Sequence, residues 1–309
     1  MTIGVAASGP DAGAAVRAAV LGAEVLGRGA IGGFAVFAVL DANGDVKHCV
    51  TQRGGIAQLA IPDEWLHATR AAVISSGPDR PEPLLQFLPG AKGVGLVTGH
   101  RLPNRLDASG IPLNQAVLSR IAAGDSPQCA IDLVLDGNPE ADAGLIAVNA
   151  DGLVGWGNSD RVKRRTDSRR FHRDQGGARI AILHNSICFP DGMADVVAEL
   201  AWACLAGQSM SVRFLHLQPS VCIRASHRDR VCLARDGSIE LIETANPHLP
   251  MANGRATAIY LGSEVWQDGR RIGRVISELM ADVESGKVAR PLEPTQAVVI
   301  MKKDEYVSP

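Results

Sequence analysis

The sequence is poor in aromatic residues and has almost no net charge. Aromatic residues make up 4% of the 309 positions, and the formal charge at pH 7 is -2. The core must therefore be built from Ala, Val, Leu and Ile, and a hydrophobic content of 46% is enough for one large or two medium domains. The small net charge excludes a general attraction to nucleic acid or to an anionic membrane.

Paired cysteines and long apolar runs are also missing. The six cysteines include no CxxC pair, so we expect reduced thiols rather than disulfides. The N-terminal stretch is interrupted by Asp11, Arg17, Glu24 and Arg28, which is typical of neither a signal peptide nor a membrane span. These features predict a cytoplasmic protein.

Motifs for metals and nucleotides are absent as well. The eight histidines never form HxH or HxxxH, and there is no GxxxxGK[ST] and no GxGxxG between a strand and a helix. We therefore expect neither a metal nor a cofactor. The expected partner is a small-molecule substrate, with no nucleic acid and no membrane, and homo-oligomer formation stays an open alternative.

What the sequence does contain is a series of short apolar runs that end in polar loops. Such loops occupy 51–55, 75–83, 98–105 and 184–186, each after a predicted strand. Loops of this kind carry the chemistry of many enzymes, so we expect them to converge on one pocket. The densest stretch is Gly95–Asn114, in which a predicted strand runs into a loop rich in His, Arg and Asn.

Three residues of these loops are candidates for catalysis. His100 has the pKa range of an acid or base near neutrality, and Thr98 shares its side of the predicted strand because side chains alternate. Thr98 or Ser76 is the expected attacking or water-positioning hydroxyl. The alternative is that these side chains only satisfy backbone groups in tight turns.

Six further residues are candidates for binding the substrate. Arginines hold carboxylates through paired hydrogen bonds, and the amide and hydroxyl groups of neighbouring loop residues polarise carbonyls. Each arginine is also compatible with a surface ion pair, and the serine with a cap of its turn. The candidate binding residues are Thr51, Arg53, Ser75, Arg80, Arg101 and Asn104.

A basic segment at 160–177 divides the chain. It holds seven Arg or Lys against three Asp and shows little apolar periodicity, which is typical of a linker or a lid. An anion-binding flap is the alternative, and no aromatic platform for nucleic acid accompanies it. We therefore expect one layered portion at 1–168 and a second α+β portion at 178–309, in which Ile272–Glu284 is predicted to be a helix.

The stretch Ala122–Asn158, AAGDSPQCAIDLVLDGNPEADAGLIAVNADGLVGWGN, carries a family resemblance together with SSGPDRPEP at 75–83 and TGHRLPN at 98–104. It resembles the N-terminal-nucleophile hydrolase superfamily, in particular its asparaginase-like and γ-glutamyltransferase-like members and a family of uncharacterised bacterial proteins. The resemblance covers about half of the chain. It implies an α+β fold in which two antiparallel sheets are sandwiched between helices, an αββα order of layers.

The sequence departs from that resemblance at the nucleophile. Asparaginase-like members open the corresponding hairpin strand with a catalytic Thr, whereas this chain has Ala143-Gly144. Thr2 would become N-terminal if Met1 were removed, but the bulky Ile3 gives this little support, and we do not expect autoprocessing.

The resemblance and the polar loops together imply an enzyme. The expected activity is hydrolysis of an amide or related C–N bond in a small polar compound that bears a carboxylate. Two alternatives remain: a non-catalytic binding or assembly protein that has lost its nucleophile, and a lyase or isomerase that uses His100 with an arginine clamp.

Overall fold

The computed structural model describes residues 1–190, 192–207 and 210–302, and it divides into two compact units. The first unit comprises Met1–Phe189 and Val197–Gly207, and the second comprises the described parts of 190–196 and 208–309. Both contain extended β-sheet, so the expected mixture of helices and strands is confirmed at the level of fold class.

The first unit is built on a six-stranded sheet in which all neighbouring strands are antiparallel. We call it the first sheet, and its strand order is β3-β2-β4-β1-β10-β9. Its strands are β1 (Thr2–Ser8), β2 (Ala35–Leu40), β3 (Val46–Thr51), β4 (Arg70–Ser76), β9 (Ser168–Gln175) and β10 (Ala178–Asn185).

A second, four-stranded antiparallel sheet completes the β-structure of this unit. Its strand order is β5-β6-β7-β8. The strands are β5 (Gly90–Ala91), β6 (Gly95–Arg101), β7 (Ala143–Asn149) and β8 (Val154–Asn158). The turns Asp41–Gly44 and Asn149–Gly152 join β2 to β3 and β7 to β8, and the sequence predicts both hairpins from their Asp, Asn and Gly residues.

Six α-helices lie in the described residues, and their starts follow from local chemistry. Ser126 caps the fourth helix by accepting a hydrogen bond from the Cys129 N–H, and Pro127 occupies its first turn. The helices are α1 (Ala12–Leu26), α2 (Asp63–Leu66), α3 (Leu113–Ala122), α4 (Pro127–Asp136), α5 (Asp160–Lys163) and α6 (Met193–Leu205).

The side chains of the first sheet alternate between two apolar layers. In β1, Ile3 and Val5 pack with α1 and with the Val197–Gly207 segment, whereas Ala6 packs with the second sheet. The two sheets approach closely, because a Cβ at Gly4 would clash with the Gly99 carbonyl. The other face of the second sheet packs against α3 and α4. Burial of these three apolar layers holds the unit together.

The second unit contains a ten-stranded sheet around one apolar core. The strand order is β11-β20-β17-β16-β13-β14-β12-β19-β18-β15. The strands are β11 (Met210–His216), β12 (Cys222–Ala225), β13 (Arg230–Leu233), β14 (Ile239–Thr244), β15 (Gly254–Ile259), β16 (Glu264–Gln267), β17 (Arg270–Val275), β18 (Leu279–Glu284), β19 (Lys287–Pro291) and β20 (Gln296–Lys302).

The division of the chain differs from the one that the sequence predicts. The basic segment 160–177 is no linker, because it forms α5 and the edge strand β9 of the first sheet. The β10 strand pairs with β1, so the first unit continues to Phe189. The predicted helix Ile272–Glu284 is wrong, since it forms parts of β17 and β18.

No helix in the described residues is both long enough and apolar enough to cross a membrane.

Candidate functional site

Three polar side chains form a row at one end of three neighbouring strands of the first sheet. The register pairs Thr2 of β1 with Ser76 of β4 on one side and with Asn185 of β10 on the other. All three face the second sheet, because their strand positions are in phase with Ala6, Ile74 and Leu183 of the layer between the sheets. Thr2, Ser76 and Asn185 are 4%, 1% and 2% exposed.

The Ser76 hydroxyl connects this row to the start of the chain. Its Oγ donates to the Met1 carbonyl oxygen at 2.6 Å and lies 3.5 Å from the Thr2 Oγ1. The Arg80 guanidinium donates to the same Ser76 oxygen. The peptide bond before Thr2 therefore lies within a cluster of two hydroxyls and a cation.

The surroundings of the Met1 amino group disfavour its protonated form. Burial lowers its pKa, and the charges of Arg80 and Arg101 lower it further, whereas Asp167 raises it. A larger fraction of such an amine is unprotonated at a given pH than of an amine in open water, although its proton affinity is lower. The charges of Arg80, Arg101 and Asp167 all act on this amine, so the three side chains lie around the start of the chain.

His100 faces the row from the second sheet and is fully buried. Its Nδ1 lies 3.3 Å from the Asn185 Oδ1, and its Nε2 lies 2.8 Å from the Asn158 Oδ1. Burial lowers its pKa to about 4, although both asparagine contacts oppose the shift. At neutral pH the ring is thus an uncharged group with both nitrogens engaged, which favours an orienting role over that of an acid or base.

Thr98 shares the inner face of β6 with His100, as the alternation of side chains predicts. It is completely buried between the sheets, and its Oγ1 donates to the Val73 carbonyl at 3.5 Å. Ser76, at the strand end, lies closer to the cluster around Thr2 and Arg80.

The arginines predicted to bind a carboxylate have different surroundings. Arg53 pairs with Asp79 at 2.6 Å, and both side chains are more than half exposed. Arg101 forms two hydrogen bonds with Asp142, which neutralise it and lower the pKa of that carboxyl. In the described residues no carboxylate pairs with Arg80, so Arg80 has charge available for a ligand.

Three other predicted residues lie away from the row. Ser75 points to the opposite face of the sheet, where its Oγ donates to Glu24 at 2.6 Å, because neighbouring strand residues alternate. Thr51 donates to the Arg53 carbonyl in its own turn, and Asn104 donates to the Gln86 side chain at 2.7 Å. These contacts fix loops, and they do not bring the three residues to the Thr2 hydroxyl.

Close packing explains why the Ala143-Gly144 position carries no nucleophile. Gly144 lies opposite His100 and Asn158 in the second sheet. A Cβ at Gly144 would clash with both the His100 ring and the Asn158 side chain. The lack of a side chain at Gly144 therefore leaves room for the His100 ring.

Thr2, Asn185 and Asp167 are not among the candidate site residues predicted from the sequence. Their proximity depends on β1 lying between β4 and β10, and strand order cannot be read from a single sequence. One signal was present for two of the three: Ser76 and Asn185 each lie where an apolar run meets a polar segment, whereas Thr2 opens its apolar run directly after Met1.

In the described residues, no group of three or more His, Cys, Asp or Glu side chains could hold a metal ion.

Comparison with known proteins places the chain in a family. A model described as "Domain of unknown function (DUF6963)" matches residues 2–228, which is more than half of the 309 residues. The chain belongs to the DUF6963 family. The DUF6963 match spans every residue of the Thr2 row and its neighbours. A second model, "Domain of unknown function (DUF7259)", matches residues 220–296 and overlaps the end of the first match. No curated protein matches the chain.

Proposed function

We propose that this protein is a hydrolase of the N-terminal-nucleophile type, which cleaves an amide or related C–N bond in a small compound bearing a carboxylate. Two features support the αββα fold of that superfamily. Both sheets of the first unit are antiparallel and face each other, and each packs helices against its other side. Fold alone does not establish activity, so the proposal depends on the residues around Thr2.

In this proposal the nucleophile is Thr2, and it replaces Thr98 and Ser76 in that role. Cleavage of the peptide bond before Thr2 leaves its α-amine and its hydroxyl on the same residue. A threonine at a free N-terminus can use its own amine as the base that activates its hydroxyl. The Thr2 Oγ1 is the central hydroxyl of the row, with Ser76 on one side at 3.5 Å.

The environment of the amine is the observation that carries the proposal. The Met1 amine has a lowered pKa because of burial and of Arg80 and Arg101. The Thr2 amine lies one residue further into the same cluster and would be exposed to the same desolvation and charges. Desolvation and the arginine charges would therefore favour its neutral form, which is the form that can act as a base.

Each step of the reaction can be assigned to residues of this chain. The Thr2 amine takes the hydroxyl proton while Oγ1 attacks the carbonyl carbon of the amide. The C–N bond then breaks, the proton passes from the amine to the leaving nitrogen, and an ester on Thr2 remains. Water, deprotonated by the same amine, attacks the ester, which releases the acid and restores Thr2.

Arg80 is the expected site for the substrate carboxylate. It is half-buried, and it contacts the row through Ser76. Guanidinium groups bind carboxylates through paired, charge-assisted hydrogen bonds, and Arg80 has no carboxylate partner among the described residues. Arg101 is held by Asp142 and would act through its charge rather than by contact.

The test combines a mass measurement with a substrate screen. Intact mass and N-terminal sequencing of the purified protein should show a chain that begins at Thr2. That protein should release ammonia or an amine from a panel of small carboxylate-bearing amides and lactams. A chain that keeps residues before Thr2, yet hydrolyses such amides at the same rate, would contradict Thr2 as the nucleophile.

The screen also addresses the binding-protein alternative. Saturable binding of a carboxylate compound without turnover, by a chain that begins at Thr2, would favour a protein that keeps the fold without the reaction. Turnover without acyl transfer to Thr2 would favour the lyase or isomerase alternative.

A further inference from the structure

We infer that Asn185 stabilises the oxyanion of the proposed reaction, and that Asp167, Ser186 and His100 fix the direction in which its amide points. The inference rests on the proposed function, because the oxyanion forms on a carbonyl attacked by Thr2. The four residues form a continuous chain of contacts from the surface to the layer between the sheets. This gives Asn185 a role as a catalytic group and the other three a role as positioning residues.

Asn185 is beside Thr2 and faces the same layer. The two are the last paired residues of β1 and β10, and paired residues on one face have Cβ atoms about 5 Å apart. Ser76 takes the corresponding place on the other side of Thr2. Since Arg80 binds Ser76, Asn185 is the remaining polar neighbour of Thr2 in the row.

The contacts on the outer side decide which amide atom faces which partner. Asp167 pairs with Arg165 and accepts from the Ser186 hydroxyl, and these contacts hold its pKa well below the usual range. An ionised carboxylate only accepts, so the single hydroxyl proton of Ser186 goes to Asp167. The Ser186 oxygen must then accept from Asn185, whose Nδ2 lies 3.1 Å away.

The contacts on the inner side follow from that assignment. With Nδ2 towards Ser186, the Oδ1 of Asn185 faces the Nδ1 of His100, which must donate. The neutral ring has one N–H, so its Nε2 accepts. The Asn158 Oδ1 that lies 2.8 Å from this nitrogen cannot donate to it, so the assignment requires the Asn158 amide in the reversed orientation, with its Nδ2 towards the ring. The orientation of Asn185 is thereby set from both ends.

This orientation leaves one N–H of Asn185 uncommitted. The amide nitrogen has two N–H groups, and the described residues supply one acceptor for it, the Ser186 oxygen. Asn185 is only 2% exposed, so water does not readily satisfy the second N–H. A fixed and desolvated N–H beside a nucleophile is the arrangement that stabilises an oxyanion.

The backbone conformation of Ser186 also indicates that its contact with Asn185 is fixed by the fold. Ser186 has a φ of 58°, in the left-handed region that is unfavourable for a residue with a side chain. Its backbone N–H donates to the Asp167 carbonyl at 2.9 Å, while its hydroxyl binds the carboxylate of the same residue. Asp167 therefore holds Ser186 in the conformation that meets Asn185.

The first experiment tests the orientation without any substrate. Correlation spectra of ¹⁵N-labelled protein near pH 7 should show His100 as the neutral tautomer with its proton on Nδ1. Ser186→Gly suits the positive φ, so it should fold, but it removes the hydroxyl that orients Asn185. We expect the His100 signals to change to mixed tautomers in this variant. A wild-type proton on Nε2 would overturn the orientation.

The second experiment tests the catalytic role with an amide that the wild-type protein hydrolyses. Asn185→Ala should lower kcat by about 10²-fold or more with little change in KM, as loss of one oxyanion donor does. Ser186→Gly should lower kcat by a smaller factor, again at nearly constant KM. Wild-type kcat in both variants would overturn the assignment, and so would a change confined to KM.

The two failures can be told apart. If no amide is turned over and Thr2 never carries an acyl group, the proposed function fails, and the oxyanion role fails with it. If wild-type protein acylates at Thr2 and Asn185→Ala does so equally fast, the proposed function stands and the inference about Asn185 is wrong. Should Asn185→Ala not fold, Ser186→Gly decides the outcome.

Discussion

The hydroxyl of Thr2 lies 3.5 Å from the hydroxyl of Ser76, and the latter donates to the carbonyl of the peptide bond that precedes Thr2. This relationship joins two residues 74 positions apart in sequence, and it exists because β1 and β4 are neighbours in the first sheet. It places the first strand of the fold at the centre of the candidate site.

The choice of nucleophile is tested by substitutions at Thr2 and Thr98. Thr2→Ala should lower amide hydrolysis by about 10³-fold or more, because removal of a nucleophile leaves only binding and oxyanion stabilisation. Thr2→Ser keeps a hydroxyl and should retain part of the rate. Thr98→Val preserves shape in a fully buried position and should have nearly wild-type kcat. Loss of activity in Thr98→Val with intact folding would instead support Thr98.

Arg80 should influence both substrate binding and the pH profile. Arg80→Gln removes a charge that lowers the pKa of the nearby amine, so the acidic limb of kcat/KM should move to higher pH. KM for a carboxylate-bearing amide should rise about tenfold, and Arg80→Lys should restore part of the loss. Arg53→Gln is the matched control, because Arg53 is exposed and paired with Asp79. Equal effects at both positions would exclude a specific role for Arg80.

The protein should lose stability in acid because two histidines are buried. Burial lowers the pKa values of His100 and His184 from 6.5 to about 4. Between those values the unfolded chain binds more protons, so their contribution is complete above pH 6.5 and is lost as the pH falls towards 4. Each histidine would account for about 3 kcal/mol of the free energy of unfolding over this range.

Denaturant titrations at several pH values check this prediction. His184→Phe, which keeps a ring against Phe189, should reduce the slope of stability against pH. The exposed His48 provides the control through His48→Asn, which should leave the slope unchanged. A slope that is the same in all three proteins would show that these histidines do not control acid unfolding.

Gly144 should tolerate no side chain. Gly144→Ala would place a methyl group against His100 and Asn158, so we expect a loss of about 2 kcal/mol or more and a changed environment of His100. Gly137→Ala is the control, since its added Cβ would meet its nearest neighbours at 3.4 and 3.7 Å, which is ordinary contact. Thermal unfolding and the His100 imidazole signals measure the difference. Equal melting temperatures for the two variants would contradict the close fit.

Glu264 should stabilise the second unit. It is 9% exposed, its Oε2 accepts from the Trp266 indole at 3.0 Å, and it forms ion pairs with Arg230, Arg271 and Arg274. Burial would raise its pKa, but the Trp266 bond and the three arginines outweigh burial and lower it. Glu264→Gln should cost about 1 to 3 kcal/mol, because it removes the charge that the three arginines share, although Arg230 keeps Glu243 and Arg274 keeps Asp195 as partners. Unchanged urea unfolding of the second unit would refute this.

Local chemistry was enough to predict much of the fold. Apolar spacing with a preceding Asp11 predicts the helix Ala12–Leu26, turn residues predict both hairpins of the first unit, and capping preference predicts the role of Ser126. The structure confirms these elements. Ile272–Glu284 was predicted wrongly, because a short apolar pattern fits two strands joined by a turn as well as it fits a helix.

Only part of the site could be predicted from the sequence. The prediction that Thr98 and His100 share a face is confirmed, because it depends on the alternation of one strand. The same alternation places Ser75 and Ser76 on opposite faces of the sheet, although both lie in the predicted loop at 75–83. The proximity of Thr2, Ser76 and Asn185 depends on which strands become neighbours, and their contacts are separated by many residues.

The central claim is that Thr2 is the nucleophile, and trapping its acyl form tests this most directly. The protein should be incubated with a carboxylate-bearing β-lactone or activated ester, digested and analysed by mass spectrometry. We predict a single acyl group on a peptide that begins with Thr2, and none in Thr2→Ala. Acylation of Ser76 or Thr98, or of a peptide in which Met1 still precedes Thr2, would contradict the claim.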